Sequence, residues 1–205
     1  MIGTTPVSHL APLDYRYALD AAAALLGGQP PAAVYCNVAA LGEEARQRFP
    51  GVDLTPPPPS SCDGKGGSRA VLWIEPTVDS WQTELATIAA EVPAGGTLVV
   101  VASRPLARLL PERRGWRGDP LGSRPRGIAT LYRGLRDAGF VVAESHGVHS
   151  LKAIGLSALG ARCERLGRPE LGDRLRFAAR RAYRDGGILQ PLATVALLAA
   201  RKAAP

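Results

Sequence analysis

The chain has 205 residues, 46% of them hydrophobic but only 5% aromatic, and a formal net charge of +7. These values suit one packed domain with a core of Ala, Val, Leu and Ile. The longest apolar runs, "TLVVVA" and "LATVALLAA", are too short to span a bilayer, and Cys36, Cys62 and Cys163 form neither a disulfide framework nor a metal-ligand spacing.

Lys stands only at positions 65, 152 and 202, so Arg supplies 22 of the 25 basic residues. Such a balance permits a polyanionic partner without demanding one, and no nucleic-acid motif accompanies it. The N-terminus "MIGTTPVSHLAPLD" lacks a basic segment followed by an apolar one, so a cytoplasmic protein is expected.

In chain order, "DYRYALDAAAALL" (14–26) reads as a helix stopped by Gly27-Gly28, and "AAVYCNV" (32–38) as a short strand. "LGEEARQRFPG" (41–51) is a helix with Glu early and Arg late, followed by a brief strand at 52–55. Residues 56–68, "PPPPSSCDGKGGS", form a loop stiffened by proline, then loosened by glycine. "RAVLWIEP" (69–76) is a buried strand, and 77–92 a helix with Asp79 or Ser80 as N-cap and a Trp81–Leu85–Ile88 stripe. "GTLVVVAS" (96–103) has the unbroken apolar run of a strand covered on both faces. An Arg-, Gly- and Pro-rich excursion (104–126) precedes a helix at 127–139 and a strand at 140–145. Two helices, 150–167 and 169–185, are broken at Gly167-Arg168-Pro169, with Leu171, Leu175, Ala178 and Ala182 on one face, and a last strand covers 192–202.

Repeated strand–helix–strand alternation with short connections predicts a doubly wound parallel sheet. The expected architecture is a single α/β domain, residues 1–205. It is a three-layer sandwich with a shortened, mostly parallel Rossmann-like sheet (14–149), a helical cap insertion (150–185) and a last strand. Ligands in such sheets bind outside the carboxyl ends of the strands. Here those ends fall at 36–40, 55–59, 74–79, 102–105 and 145–149.

The second half carries a more specific pattern. A strand ending "LWIEP", a helix, the turn Pro93-Ala94-Gly95-Gly96 before "TLVVVAS", the turn Ala138-Gly139-Phe140, and a late strand ending "ARK" follow one another. This order resembles the class I S-adenosylmethionine-dependent methyltransferases, over roughly residues 70–145 plus the last strand. The resemblance implies S-adenosylmethionine as cofactor and direct methyl transfer to a small-molecule acceptor. It implies cofactor contacts from Cys36, Asn37 and Gly42 after the first strand, and from Glu75 and Pro76 after the central one. Glu75 matches a family position near the transferred methyl that is often Asp or Asn followed by Pro.

The sequence departs from the family at the first loop. A Gly-rich turn is the family's signature there, but only Gly42 is present, and Val38, Ala39 and Ala40 stand where glycine would let backbone approach a ligand. After the next strand comes "TPPPP", without the acid that holds the cofactor ribose in the family. Two functional readings stay open: a methyltransferase with an unorthodox loop, to which Gly64, Gly66 and Gly67 would add a backbone nest, or a non-catalytic scaffold of the same fold that docks a partner.

Glu75 is the candidate proton acceptor, with a plain helix N-terminal acid as the alternative. His146 and His149, in "ESHGVHS", are candidate catalytic or acceptor-contacting residues in a turn after the sixth strand. No third ligand accompanies them, so no metal site is expected. Arg176, Arg180 and Arg184 recur every four residues, as the solvated side of a helix or a row for an anionic partner. Trp116 among the arginines of 104–126 could stack on a planar group. Oligomerisation is left open.

Overall fold

The computed structural model describes residues 13–27, 30–36, 38–52, 54–55, 70–76, 80–104, 128–182 and 193–204, with the backbone alone at 13, 14, 39, 40, 54, 55 and 149. The proline- and glycine-rich stretch with its proposed nest, Asn37, Asp79, Trp116, Arg184 and most of the Arg-rich excursion lie outside the described residues. In chain order the elements are α1 (Leu13–Leu25), β1 (Ala33–Cys36), α2 (Ala39–Arg48), β2 (Leu54–Thr55), β3 (Ala70–Ile74) and α3 (Trp81–Glu91). They continue with β4 (Thr97–Ser103), α4 (Ile128–Asp137), β5 (Phe140–Ser150), α5 (Leu151–Arg165), α6 (Pro169–Ala182) and β6 (Ala193–Lys202).

These strands form one sheet in the order β2-β1-β3-β4-β6-β5. Its pairings are parallel from β2 to β4, and β6 is antiparallel to both neighbours. The mostly parallel sheet is therefore matched in part. The reason is connectivity: β5 and β6 are joined by the α5–α6 hairpin, whose two roots meet where the Ser150 hydroxyl approaches the Ala182 carbonyl at 3.4 Å. A chain that leaves and re-enters at one edge of a sheet must return reversed.

Strand alternation divides the core into two layers. Leu72, Ile74, Val99 and Val101 face α1, α2 and the roots of α5 and α6 (Ala153 and Ala182). Val71, Trp73, Leu98 and Val100 face α3 and α4. Helices on both faces of one open sheet make the three-layer α/β sandwich. The stripe Trp81, Leu85 and Ile88 is buried as the spacing predicts. Ser80 takes the N-cap position, but its hydroxyl donates to Glu84 Oε1 at 2.7 Å instead of capping the helix. Glu84, itself buried, also accepts from Trp73 Nε1 at 3.2 Å.

Both glycines of the Pro93–Gly96 turn are required. Gly95 has φ +76, and a Cβ on Gly96 would lie 2.7 Å from Val92 Cγ1 and 2.9 Å from the Pro93 carbonyl. The turn is clamped by β6, because Gly95 N–H donates to the Lys202 carbonyl and Lys202 N–H to that of Gly96. Lys202 Nζ then caps two helix ends at once, donating to the carbonyls of Ala89 (3.0 Å) and Ala138 (3.1 Å). The family-like motifs thus mark one knot at the amino-terminal edge of β4.

Two expectations are corrected. The buried stripe of α6 is Gly172, Ala179 and Ala182, while Leu171 is exposed. Gly172 sets this face, since its carbonyl lies 3.0 Å from where a Cβ on Gly160 of α5 would stand, a close crossing of the two helices. The strand expected at 140–145 runs on to Ser150, so His146 and His149 belong to β5 and not to a turn. Antiparallel pairing with β6 carries the ladder through Gly147, which pairs with Ala196.

α4 meets α3 through Gly134, where an added Cβ would fall 2.3 Å and 2.5 Å from two ring carbons of buried Trp81. Gly134→Ala is predicted to lower stability by about 1–2 kcal/mol, because overpacking outweighs the gain in helix propensity. In thermal unfolding this is a fall of roughly 2–8 °C, and Trp81→Phe in the same chain is predicted to recover part of it. An unchanged melting temperature would contradict the tight contact.

Candidate functional site

The connection after β1 leads to β2 on one side, and the chain later adds β3 on the other. The sheet order therefore reverses at β1, and the crevice at such a switch point lies outside the carboxyl ends of β1 and β3. Three strand ends converge there. Cys36 closes β1, in register with Ile74 of β3, and Ile74 is in register with Val101 of β4.

Glu75 follows Ile74 directly. It has φ +51, the one described non-glycine residue in the left-handed region, a conformation costing about 1 kcal/mol or more. Its N–H extends the ladder by donating to the Val101 carbonyl at 2.8 Å. Its carboxylate folds back to accept the Ser103 N–H at the end of β4. The residue is only 6% exposed. Ser103 Oγ in turn meets the hydroxyl of Tyr15, fully buried in the first turn of α1. A polar line, Tyr15–Ser103–Glu75, thus crosses the carboxyl edge of the sheet. Arg104 follows Ser103, buried, and its N–H donates to the Thr194 carbonyl at 2.8 Å. Burial pushes the Arg104 guanidinium below its ordinary value.

Cys36 stands beside this line. Its thiol is pushed up to about 11, mainly by burial, with hydrogen bonding to the Val38 backbone opposing the rise and the negative charge of Glu75 adding to it. The thiol is therefore neutral near pH 7 and not a nucleophile.

The turn after β1 shows what replaces the missing glycines. Val38 and Leu41 are buried in the core layer that contains α1, and buried Gly42 makes an early helical bond of α2, to the Val38 carbonyl at 2.9 Å. The N-cap Val38 has no side chain able to satisfy the first N–H groups of α2. These donors lie at the carboxyl edge of β1, where an anionic group would be favoured. Pro76 is buried next to Glu75.

His146 lies elsewhere. It pairs with Leu197 of β6, which pairs with Val101. Three strand spacings separate its row from that of Ile74 and Glu75, about 14 Å across the sheet. His146 Nε2 is 3.0 Å from Glu144 Oε2, and both line a groove of about 720 Å³ between α1, β5, β6 and α6. The structure places Cys36, Glu75 and Pro76 at the carboxyl ends of the neighbouring strands β1 and β3, with Gly42 in the first turn of α2, and places His146 three strands away. The side chain of His149 is outside the description. Among the described residues no group of three or more His, Cys, Asp or Glu could hold a metal ion. No helix among them is long and apolar enough to cross a membrane. Ser103 and Tyr15 were not visible as site residues: their roles come from β3–β4 register and from α1 crossing β4.

No family model matches the chain, and no curated protein matches it. Solved structures do. A SAM-dependent methyltransferase of Thermotoga maritima is similar at 16% identity and a TM-score of 0.54, over 92% of this chain and 88% of that one. The CcbJ methyltransferase of Streptomyces caelestis is similar at 14% identity and a TM-score of 0.51, over 98% of this chain and 100% of that one. The chain has the fold of the class I S-adenosylmethionine-dependent methyltransferases.

The thiol supplies a test of the crevice. Its folded pKa is raised, so the unfolded chain releases this proton first and the folded state holds more protons between about pH 9 and 11. Stability is then intact below pH 9 and falls as pH rises through about 11, by up to about 2–3 kcal/mol for this group. Urea unfolding at pH 8 and 10.5 is predicted to show a steeper loss for the native chain than for Cys36→Ala. Equal losses would remove Cys36 from this buried position.

Proposed function

We propose that the protein is an S-adenosylmethionine-dependent methyltransferase acting on a small molecule at the crevice above β1 and β3. One observation carries this reading: the buried carboxylate of Glu75, held in strained backbone at the switch point of a class I sheet.

The residues present fit the charged amino-acid end of the cofactor. It carries a carboxylate and two cationic centres, the ammonium and the sulfonium. The uncapped N–H groups of α2 suit the carboxylate, and Glu75 supplies negative potential for a cation. When bound, the cofactor supplies an electrophilic methyl group. Glu75, oriented by the Ser103 N–H, would take or hold the acceptor's proton at its carboxylate. Tyr15 and Ser103 position it, and neutral Cys36 and Pro76 form apolar walls that exclude water. A second reading, a scaffold of this fold that has lost the cofactor and docks a partner, is favoured by Val38, Ala39 and Ala40 in the first loop.

Calorimetric titration separates the two. Both S-adenosylmethionine and S-adenosylhomocysteine are predicted to bind with Kd in the micromolar range, about −8 kcal/mol, and Glu75→Gln to weaken the first at least tenfold. The second lacks the sulfonium charge and should lose less. Absence of heat, with no rise in melting temperature at millimolar ligand, would overturn the enzyme reading and leave the scaffold.

A further inference from the structure

We propose that the groove between α1, β5, β6 and α6 binds a small apolar carboxylic acid, aryl or short acyl, at a site separate from the crevice above β1 and β3. Its volume, about 720 Å³, is that of a small-molecule site. One part of its wall is apolar. Ala21, Ala24 and Leu25 come from α1, Val148 from β5 and Leu197 from β6, with the ring of Tyr17 beside them. That part needs an apolar occupant.

The charges of the lining decide its polar end. Asp20 is held by Arg48 at 2.6 Å. Glu144 is held by His146 at 3.0 Å. Asp20 is therefore paired with a cation, and Glu144 is hydrogen-bonded to the imidazole. Arg180 lines the groove from α6 and makes no ion pair or hydrogen bond among the described residues. A guanidinium presents a planar fork of donors that a carboxylate accepts in pairs. One such cation, beside two carboxylates, suits a monoanion and not a phosphate of higher charge. The site does not rest on the methyl-transfer reading, since its His146 row lies about 14 Å across the sheet from Glu75.

Calorimetry with 2-naphthoate tests the assignment. Saturable binding below millimolar Kd is expected. Arg180→Ala and Arg180→Gln should weaken it at least tenfold. Ala24 is exposed, so Ala24→Phe should leave the fold intact, as thermal unfolding will report, while filling the groove and abolishing binding. The amine 2-naphthylmethylamine should bind at least tenfold more weakly than the acid. The proposal is overturned by naphthoate that does not saturate at millimolar concentration. Equal binding by the Arg180 variants or by Ala24→Phe, or an amine that binds as well as the acid, would overturn it too.

Discussion

A buried carboxylate in a low-dielectric site must be partnered or it will not stay charged, and the carboxyl edge of this sheet is organised around meeting that demand for Glu75. The Ser103 N–H supplies one partner, which fixes where β4 ends relative to β3. Tyr15 reaches Ser103 from α1, which fixes how that helix crosses the sheet. The left-handed backbone at Glu75 is what allows the side chain to turn back along its own strand end. Remove the carboxylate and the strain remains without its compensation.

The opposite edge of the sheet is held by a different device. There the antiparallel β6 brings Lys202 between the carboxyl ends of two helices and the Pro93–Gly96 turn. The two edges divide the labour. The amino-terminal edge is closed by backbone hydrogen bonds, glycine and a lysine cap. The carboxyl edge is left with donors at the start of α2 and the buried carboxyl group of Glu75. A surface with separated donors and charge can recognise a zwitterionic ligand, whereas a fully satisfied edge cannot.

Much of this was legible in the sequence, for physical reasons that also explain the gaps. Buried strands such as Leu98–Val101 announce themselves because both faces are covered, and the turns at Gly95 and Gly139 because only glycine takes those angles freely. Glu75 was legible as a strand-end acid. Strand direction was not, since an apolar run reads the same both ways, and only the α5–α6 return makes β6 antiparallel. Gly147 read as a turn, yet a strand paired along its full length carries it. The groove was illegible because Ala21, His146, Arg180 and Leu197 are distant in sequence and meet through register alone.

The central claim is that the crevice above β1 and β3, and not the groove beside α1, receives the adenosyl cofactor. The most direct measurement is a crystal structure of the protein grown with saturating S-adenosylhomocysteine. The account predicts the ligand across the carboxyl ends of β1 and β3, its amino-acid end at the start of α2 and within hydrogen-bonding reach of Glu75. A crevice that remains empty, or ligand found only in the groove lined by His146 and Arg180, would contradict it.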